Sequence, residues 1–235
     1  VITDQVIPAY QNLLDFIRHE YMPKSRKSIA AYDLPNGKAF YQAQIFEYTT
    51  LENTPEEIHS IGLKEVARIR SDMEKIISEL KFNGDFKAFL HFLRTDPQFY
   101  AKTPRELLAE ASYWSKKADG MLIRYFGQLP RKPYGIQAVP ADIAGRYAGS
   151  GDPKRPSNYW VNTSLLNQRP MWALPALTLH EAVPGHHLQI ALAGEQAEQP
   201  EFRRTAYISA FGEGWALYAE HLGVEMGFYE TPYHH

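Results

Sequence analysis

The chain has 235 residues, 44% hydrophobic and 13% aromatic, enough for one large domain or two small ones with a sizeable core. A formal net charge of −2, with no basic cluster, excludes an electrostatic case for binding nucleic acid or an anionic membrane. With no cysteine there are neither disulfides nor thiolate zinc sites, so any metal must rest on His and carboxylate groups, the donors of a catalytic rather than a structural zinc.

No apolar run approaches the roughly 20 residues of a membrane span. The start, Val1-Ile2-Thr3-Asp4, has neither the basic region nor the apolar core of a signal peptide, and without an initiator Met the chain is expected to begin inside a longer precursor. Nothing selects between a periplasmic or secreted and a cytoplasmic location, or sets an oligomeric state.

The first half reads as helix after helix. Val6, Tyr10, Leu13, Leu14, Ile17 and Tyr21 recur at three and four, marking an amphipathic helix stopped at Pro23. A second helix is expected over 37–48. Thr54-Pro55-Glu56-Glu57 joins an N-cap Thr, a first-turn Pro and a Glu at the capping-box position, so a long helix should follow, its stripe running from Leu63 through Val66, Ile69, Met73, Ile76 and Ile77 to Leu80. Asn83-Gly84 breaks it, and a shorter helix is expected over 86–93. Thr103-Pro104-Arg105-Glu106 repeats the device, and Leu107, Ala111, Trp114, Ala118, Met121 and Tyr125 carry the next helix to Gly127. His19, His59 and His91 read as ordinary surface or satisfied histidines.

From Leu129 the character changes. Pro130, Pro133, Pro140, Pro153 and Pro156 exclude long helices, and residues 134–139 alternate like a strand. The glycine-rich stretch 145–151 lacks a phosphate-cradle pattern and is read as a loop. Residues 158–163 form a second strand candidate; as a sheet edge, Tyr159, Val161 and Asn162 would bind an extended peptide by strand addition, and otherwise they belong to an ordinary strand. The fold expected is mainly α with a small β-sheet (α+β), a helical scaffold lobe over 1–128 and a mixed lobe over 129–235 forming one domain.

The chemistry concentrates in Thr178-Leu179-His180-Glu181-Ala182-Val183-Pro184-Gly185-His186-His187-Leu188-Gln189. A His-Glu pair with another His about one turn later is how zinc hydrolases mount two ligands and a general base on one element, usually as H-E-x-x-H. Here the second His stands six or seven residues on, and residues six apart on a straight helix point about 120° away from each other. Pro184-Gly185 offers a break that would return His186 or His187 to the face of His180.

After a polar loop over 194–200, a further helix is expected over 202–223. Ala206, Ala210, Glu213, Leu217, Glu220 and Val224 fall on one stripe, which would bury Glu213 among small and apolar neighbours. A buried carboxylate is costly unless paired or metal-bound, which makes Glu213 the natural third ligand beside His180 and one later His. Such a His₂Glu set leaves a fourth position for water. Glu220, two turns on, would orient a ligating His. Tyr207 and Tyr218 read as transition-state donors or as core tyrosines.

The segments 180–189 and Phe211-Gly212-Glu213-Gly214-Trp215-Ala216-Leu217-Tyr218-Ala219-Glu220 resemble the bacterial family called domain of unknown function 885, grouped with the gluzincin metallopeptidases. Residues 54–59, Leu129-Pro130-Arg131 and 159–163 resemble its pattern too, so the likeness extends over most of the chain. It implies a gluzincin-like fold with two metal-bearing helices and zinc as cofactor. Matching Gly185-His186 to the Gly-His pair of similar peptidases favours His186 over His187 as the ligand.

The activity implied is hydrolysis of peptide bonds in peptides or oligopeptides, with zinc on His180, His186 and Glu213 and with Glu181 as general base. The alternatives are a zinc amidase or esterase acting on a non-peptide, and a metal-containing peptide-binding module without turnover. Glu181 separates these, since a binding site needs no base beside a ligand. The likeness also implies a longer protein, whose downstream helices would cover Trp215, Tyr218, Leu222 and Phe228; residues 1–235 alone are expected to be poorly soluble and inactive.

Overall fold

The computed structural model describes residues 1–139, 143–149, 152, 154–196 and 199–235. It is mainly helical with a small three-stranded sheet. The first helical run is α1 (Ile7–Phe16) and a last turn α2 (Met22–Lys24), joined and preceded by the wider π turns Ile17–Tyr21 and Ile2–Val6. Each π turn sits just before a proline, Pro8 or Pro23, where the missing N–H and the ring would disturb a regular turn. Pro23 is thus absorbed and the run reaches Lys24. Its stripe has the expected period, but Val6, Tyr10, Leu13 and Tyr21 stay exposed.

Helix α3 (Gly37–Thr49) matches the expected span within a residue. Gly37 is required there, since a Cβ would fall 2.2 Å from the carbonyl oxygen of Ala31. Helix α4 (Pro55–Glu79) starts on the capping box: Glu57 N–H donates to Thr54 Oγ1 at 3.2 Å and Thr54 N–H to Glu57 Oε2 at 2.8 Å. Its stripe is covered unevenly, with Leu63, Val66 and Ile69 exposed and Met73, Ile76 and Ile77 half-buried. Helix α5 (Phe86–Thr95) is capped by Asp85 and buries Phe89 in an aromatic group with Phe82, Phe92, Phe99 and Tyr233. Helix α6 (Pro104–Leu122), capped by Thr103, buries Leu107, Ala111, Trp114 and Ala118 as its spacing predicts, but it ends short of the expected Gly127 and leaves Tyr125 exposed.

The sheet has the order β1 (Tyr134–Val139), β3 (Ser157–Asn162), β2 (Arg146–Ala148), with β3 parallel to β1 and antiparallel to β2. Two expectations are corrected here. The stretch read as a glycine-rich loop contains β2, which pairs Arg146 with Trp160 and Ala148 with Asn158; the loop's remaining part, 150–151, and the prolines at 140 and 153 lie outside the described residues. And β3 is the central strand, hydrogen-bonded on both sides, with Tyr159, Val161 and Asn162 buried. It has no free edge for a peptide; β1 and β2 are the outer strands of the sheet instead.

Helices α7 (Leu174–Glu181), α8 (His186–Glu195), α9 (Glu201–Thr205) and α10 (Ser209–Glu225) complete the chain. The expected 194–200 loop therefore starts after Glu195, and its residues 197–198 lie outside the described ones. The expected helix over 202–223 is broken at Ala206, which is extended. One buried cluster takes Leu107, Trp114 and Ala118 from before residue 129, and Tyr159, Leu179, Leu188, Leu222 and Phe228 from after it.

The register of α10 differs from the expected one. Gly212, Ala216, Ala219, Leu222 and Gly223 are its buried residues, while Ala206, Ala210, Glu213, Leu217 and Val224 are exposed. The small side chains bring α10 close over α7, so close that a Cβ at Gly223 would lie 2.5 Å from Leu179 Cδ1. The cover expected from elsewhere is also supplied internally: Leu222 and Phe228 are buried and Trp215 half-buried, and of those four only Tyr218 is exposed.

Candidate metal centre

The site is made by a break. Helix α7 ends at Glu181 and α8 begins at His186, with a cis Val183-Pro184 bond between them. Across the break, Gly185 N–H donates to Leu179 O at 2.9 Å and His187 N–H to Ala182 O at 3.0 Å, spans of six and five residues where a helix uses four. The widened turn absorbs the two residues by which this motif exceeds H-E-x-x-H. His186 thereby returns to the side of His180, their ring centroids 4.8 Å apart. Gly185 is essential to the turn: a Cβ would stand 1.9 Å from His180 O and 2.3 Å from Leu179 O. Trp215 Nε1–H donates to Pro184 O at 2.8 Å, tying the break to α10.

Helix α10 delivers Glu213. Its Oε2 lies 3.6 Å from His180 Nε2 and 3.4 Å from His186 Nε2, and one ligand atom from each of the three residues falls within 4.8 Å of the others. These separations suit one small cation. Zinc bonds of about 2.0–2.1 Å at tetrahedral angles put their donor atoms roughly 3.4 Å apart, and two imidazoles with one carboxylate are a zinc-type set. Contrary to the burial expected of it, the Glu213 side chain is 55% exposed. Proximity to the histidines, rather than burial, is what singles it out.

Glu220 lies where two turns of helix place it, its Oε1 2.7 Å from His180 Nδ1. A carboxylate only accepts, so Nδ1 carries the proton and Nε2 turns its lone pair toward the centre. The hydrogen bond to Glu220 raises the His180 pKa, burial opposes it, and the charges of Glu181, Glu220 and Glu213 add to the rise. Burial lowers the pKa of His186, favouring the neutral ring that a metal needs.

Glu181 stands apart from the three. Buried at the end of α7, it accepts the backbone N–H of Tyr147 on β2 at Oε2, 2.6 Å away. Burial pushes its pKa up, while the Tyr147 N–H and the charge of His180 pull the other way. Sequence reasoning missed this contact, because three residues of strand between glycines and prolines carry no readable alternation.

His187 points elsewhere. Only 1% exposed, it places Nε2 2.9 Å from the Lys132 carbonyl and lies against the rings of Tyr134 and Tyr147. Burial lowers its pKa, so it is a neutral histidine of the core rather than a member of the cluster. Tyr159, Val161 and Asn162 lie in the buried central strand rather than on an exposed edge. Tyr218 packs its ring on Trp215 at 6.0 Å. Tyr207, read as a transition-state donor or a core tyrosine, is neither buried nor free: it is 60% exposed and donates its hydroxyl to Glu213 Oε1 at 2.8 Å.

Fold and site together define a mainly helical α+β protein in which two histidines from a broken helix meet one carboxylate from a neighbouring helix. The chain belongs to the family described as bacterial protein of unknown function (DUF885), which matches it across residues 1–235. A solved structure of a provisionally assigned lipoprotein from Colwellia psychrerythraea superposes with a TM-score of 0.87 at 32% identity, covering 99% of this chain and 42% of that one. A second, a provisionally assigned lipoprotein of unknown function from Shewanella oneidensis, has a TM-score of 0.75 at 19% identity over 99% of this chain and 45% of its own, and shows the fold alone. The chain thus spans less than half the length of these two. No curated protein matches it.

Proposed function

We propose that this chain carries the active centre of a zinc-dependent hydrolase of peptide bonds, related in plan to the gluzincin peptidases. The observation that carries the reading is the division of labour among four side chains. His180, His186 and Glu213 converge within 4.8 Å, while Glu181, adjacent to one of them in sequence, is buried and held outside the trio by Tyr147. A site meant only to hold a metal has no use for a second, separately positioned carboxylate whose pKa burial has raised.

Zinc, when bound by His180, His186 and Glu213, supplies a Lewis acid that polarises a carbonyl and brings the pKa of water toward about 7. The protein's own groups do the rest. Glu181 Oε2 is engaged by Tyr147 N–H, which leaves Oε1 to accept the proton of the attacking water and return it to the departing amine nitrogen. Glu220 fixes the tautomer of His180 through Nδ1. An extended peptide would lie beside Glu181, near β2, one of the two outer strands of the sheet.

The test is Glu181→Gln in the zinc-loaded, full-length protein assayed against a mixed oligopeptide pool. Zinc content should be unchanged and turnover should fall roughly 10²- to 10⁴-fold, the usual worth of a general base. Equal hydrolysis by variant and wild type, or none by the wild type, would overturn the reading.

A further inference from the structure

The two oxygens of Glu213 are treated differently. Oε2 faces the histidines, 3.4 Å from His186 Nε2 and 3.6 Å from His180 Nε2, whereas Oε1 accepts the hydroxyl of Tyr207 at 2.8 Å. Tyr207 stands only six residues before Glu213, on no helix shared with it. It occupies the extended link between α9 and α10, flanked by Ala206 and Ile208, both with extended dihedrals. From there its ring folds back over the first turn of α10 and crosses Gly212. A Cβ at Gly212 would lie 2.2 Å from the Tyr207 hydroxyl and 2.5 Å from its Cζ, so the ring reaches Glu213 only because residue 212 has no side chain.

The geometry points to Tyr207 as a positioning residue for the metal-binding carboxylate: its hydroxyl pins Oε1 and so turns Oε2 alone toward the metal, making Glu213 a one-oxygen ligand. The inference rests on the metal-site reading above. A chelating carboxylate would use both oxygens and fill part of the coordination sphere that a water needs, so a donor on one oxygen keeps that position open. Packing does not account for the placement, since the tyrosine is 60% exposed. Gly212 belongs to the same device: it is the notch through which the ring reaches over.

Two substitutions test this from opposite directions. Tyr207→Phe keeps the ring and removes the donor; Gly212→Ala keeps the hydroxyl and displaces it. Zinc affinity is measured by chelator competition, the coordination by X-ray absorption of the zinc-loaded protein and by the visible spectrum of the cobalt-loaded one. Thermal unfolding in excess chelator reports on structure without metal. Each single variant should bind zinc about tenfold more weakly or worse, within the 10- to 100-fold range for such supporting groups, the double variant should be no weaker than either, and carboxylate coordination should shift toward two oxygens. Metal-free unfolding of Tyr207→Phe should match wild type. Glu213→Ala serves as the reference. If it loses zinc while Tyr207→Phe and Gly212→Ala keep wild-type affinity and spectra, the role of Tyr207 is refuted and the metal site stands. If Glu213→Ala also retains full affinity, the metal site falls and the inference with it.

Discussion

Two adjacent histidines should fail in different ways when replaced by Ala. His187 is 1% exposed, packs at a tilt against Tyr134 at 4.7 Å between centroids and places Nε2 2.9 Å from the Lys132 carbonyl. Its truncation opens a cavity in a packed core, for which large-to-small changes cost about 2–5 kcal/mol, and takes a donor from a carbonyl, for about 1 kcal/mol more. About 3–6 kcal/mol in total corresponds to a fall in Tm of roughly 6–24 °C for a chain of this size. Zinc should remain, because the ring faces away from Glu213. His186→Ala should do the reverse. Among the described residues its Nδ1 has no hydrogen-bond partner although buried, so removing the ring costs the fold less, under about 2 kcal/mol. Structural zinc sites bind with about 10–16 kcal/mol through four ligands, so one ligand is worth about 3 kcal/mol, or roughly 10²- to 10³-fold in affinity. The assay pairs chelator competition with unfolding in excess chelator, since bound zinc would otherwise raise Tm by mass action. Zinc loss in His187→Ala with retention in His186→Ala would refute the assignment; loss in both with equal destabilisation would show that the two do not divide the work.

Gly185→Ala would set a Cβ 1.9 Å from His180 O, so the break must open; loss of more than about 4 kcal/mol in chemical denaturation together with zinc binding is expected, and a variant with wild-type values would show that the turn is not needed. Glu220→Ala removes the carboxylate 2.7 Å from His180 Nδ1 and should weaken zinc 10- to 100-fold without changing the fold's circular dichroism; unchanged affinity would deny it the orienting role. Glu230 accepts from Lys117 at 2.7 Å and Tyr113 at 3.0 Å, and the Lys117 bond first among these holds its pKa below the ordinary carboxylate range. A depressed folded-state pKa gives stability that is present above the unfolded pKa and lost as pH falls through the folded one. Urea unfolding of Glu230→Gln should therefore trail wild type at pH 7, by under about 1 kcal/mol for a largely exposed pair, and the gap should close at acid pH; a gap constant with pH would refute it.

What the sequence made legible follows the range of the forces involved. The caps at Thr54 and Thr103 are decided within four residues, and the structure places both where the letters do. The His-Glu pair and the Pro-Gly break are equally local, so a broken helix was readable, though not which of two adjacent histidines would turn inward. That depends on Lys132, Tyr134 and Tyr147, which arrive from the sheet. Strand β2 was missed because three residues become a strand only by pairing with β3. The register of α10 failed for another reason. A helix with apolar or small residues on every side offers more than one stripe, and assuming that a functional carboxylate must be buried picked the wrong one. The helix packs instead through Ala216, Ala219 and Gly223, where the absence of bulk rather than the presence of hydrophobicity is the signal. That choice of face matters for the chemistry. Had the helix buried Glu213, its carboxylate would have been desolvated and hard to keep ionised without a metal; packed through its small residues, α10 passes close enough over α7 to bring Glu213 to the histidines while leaving it 55% exposed, open to solvent, to Tyr207 and to whatever approaches the site from that side.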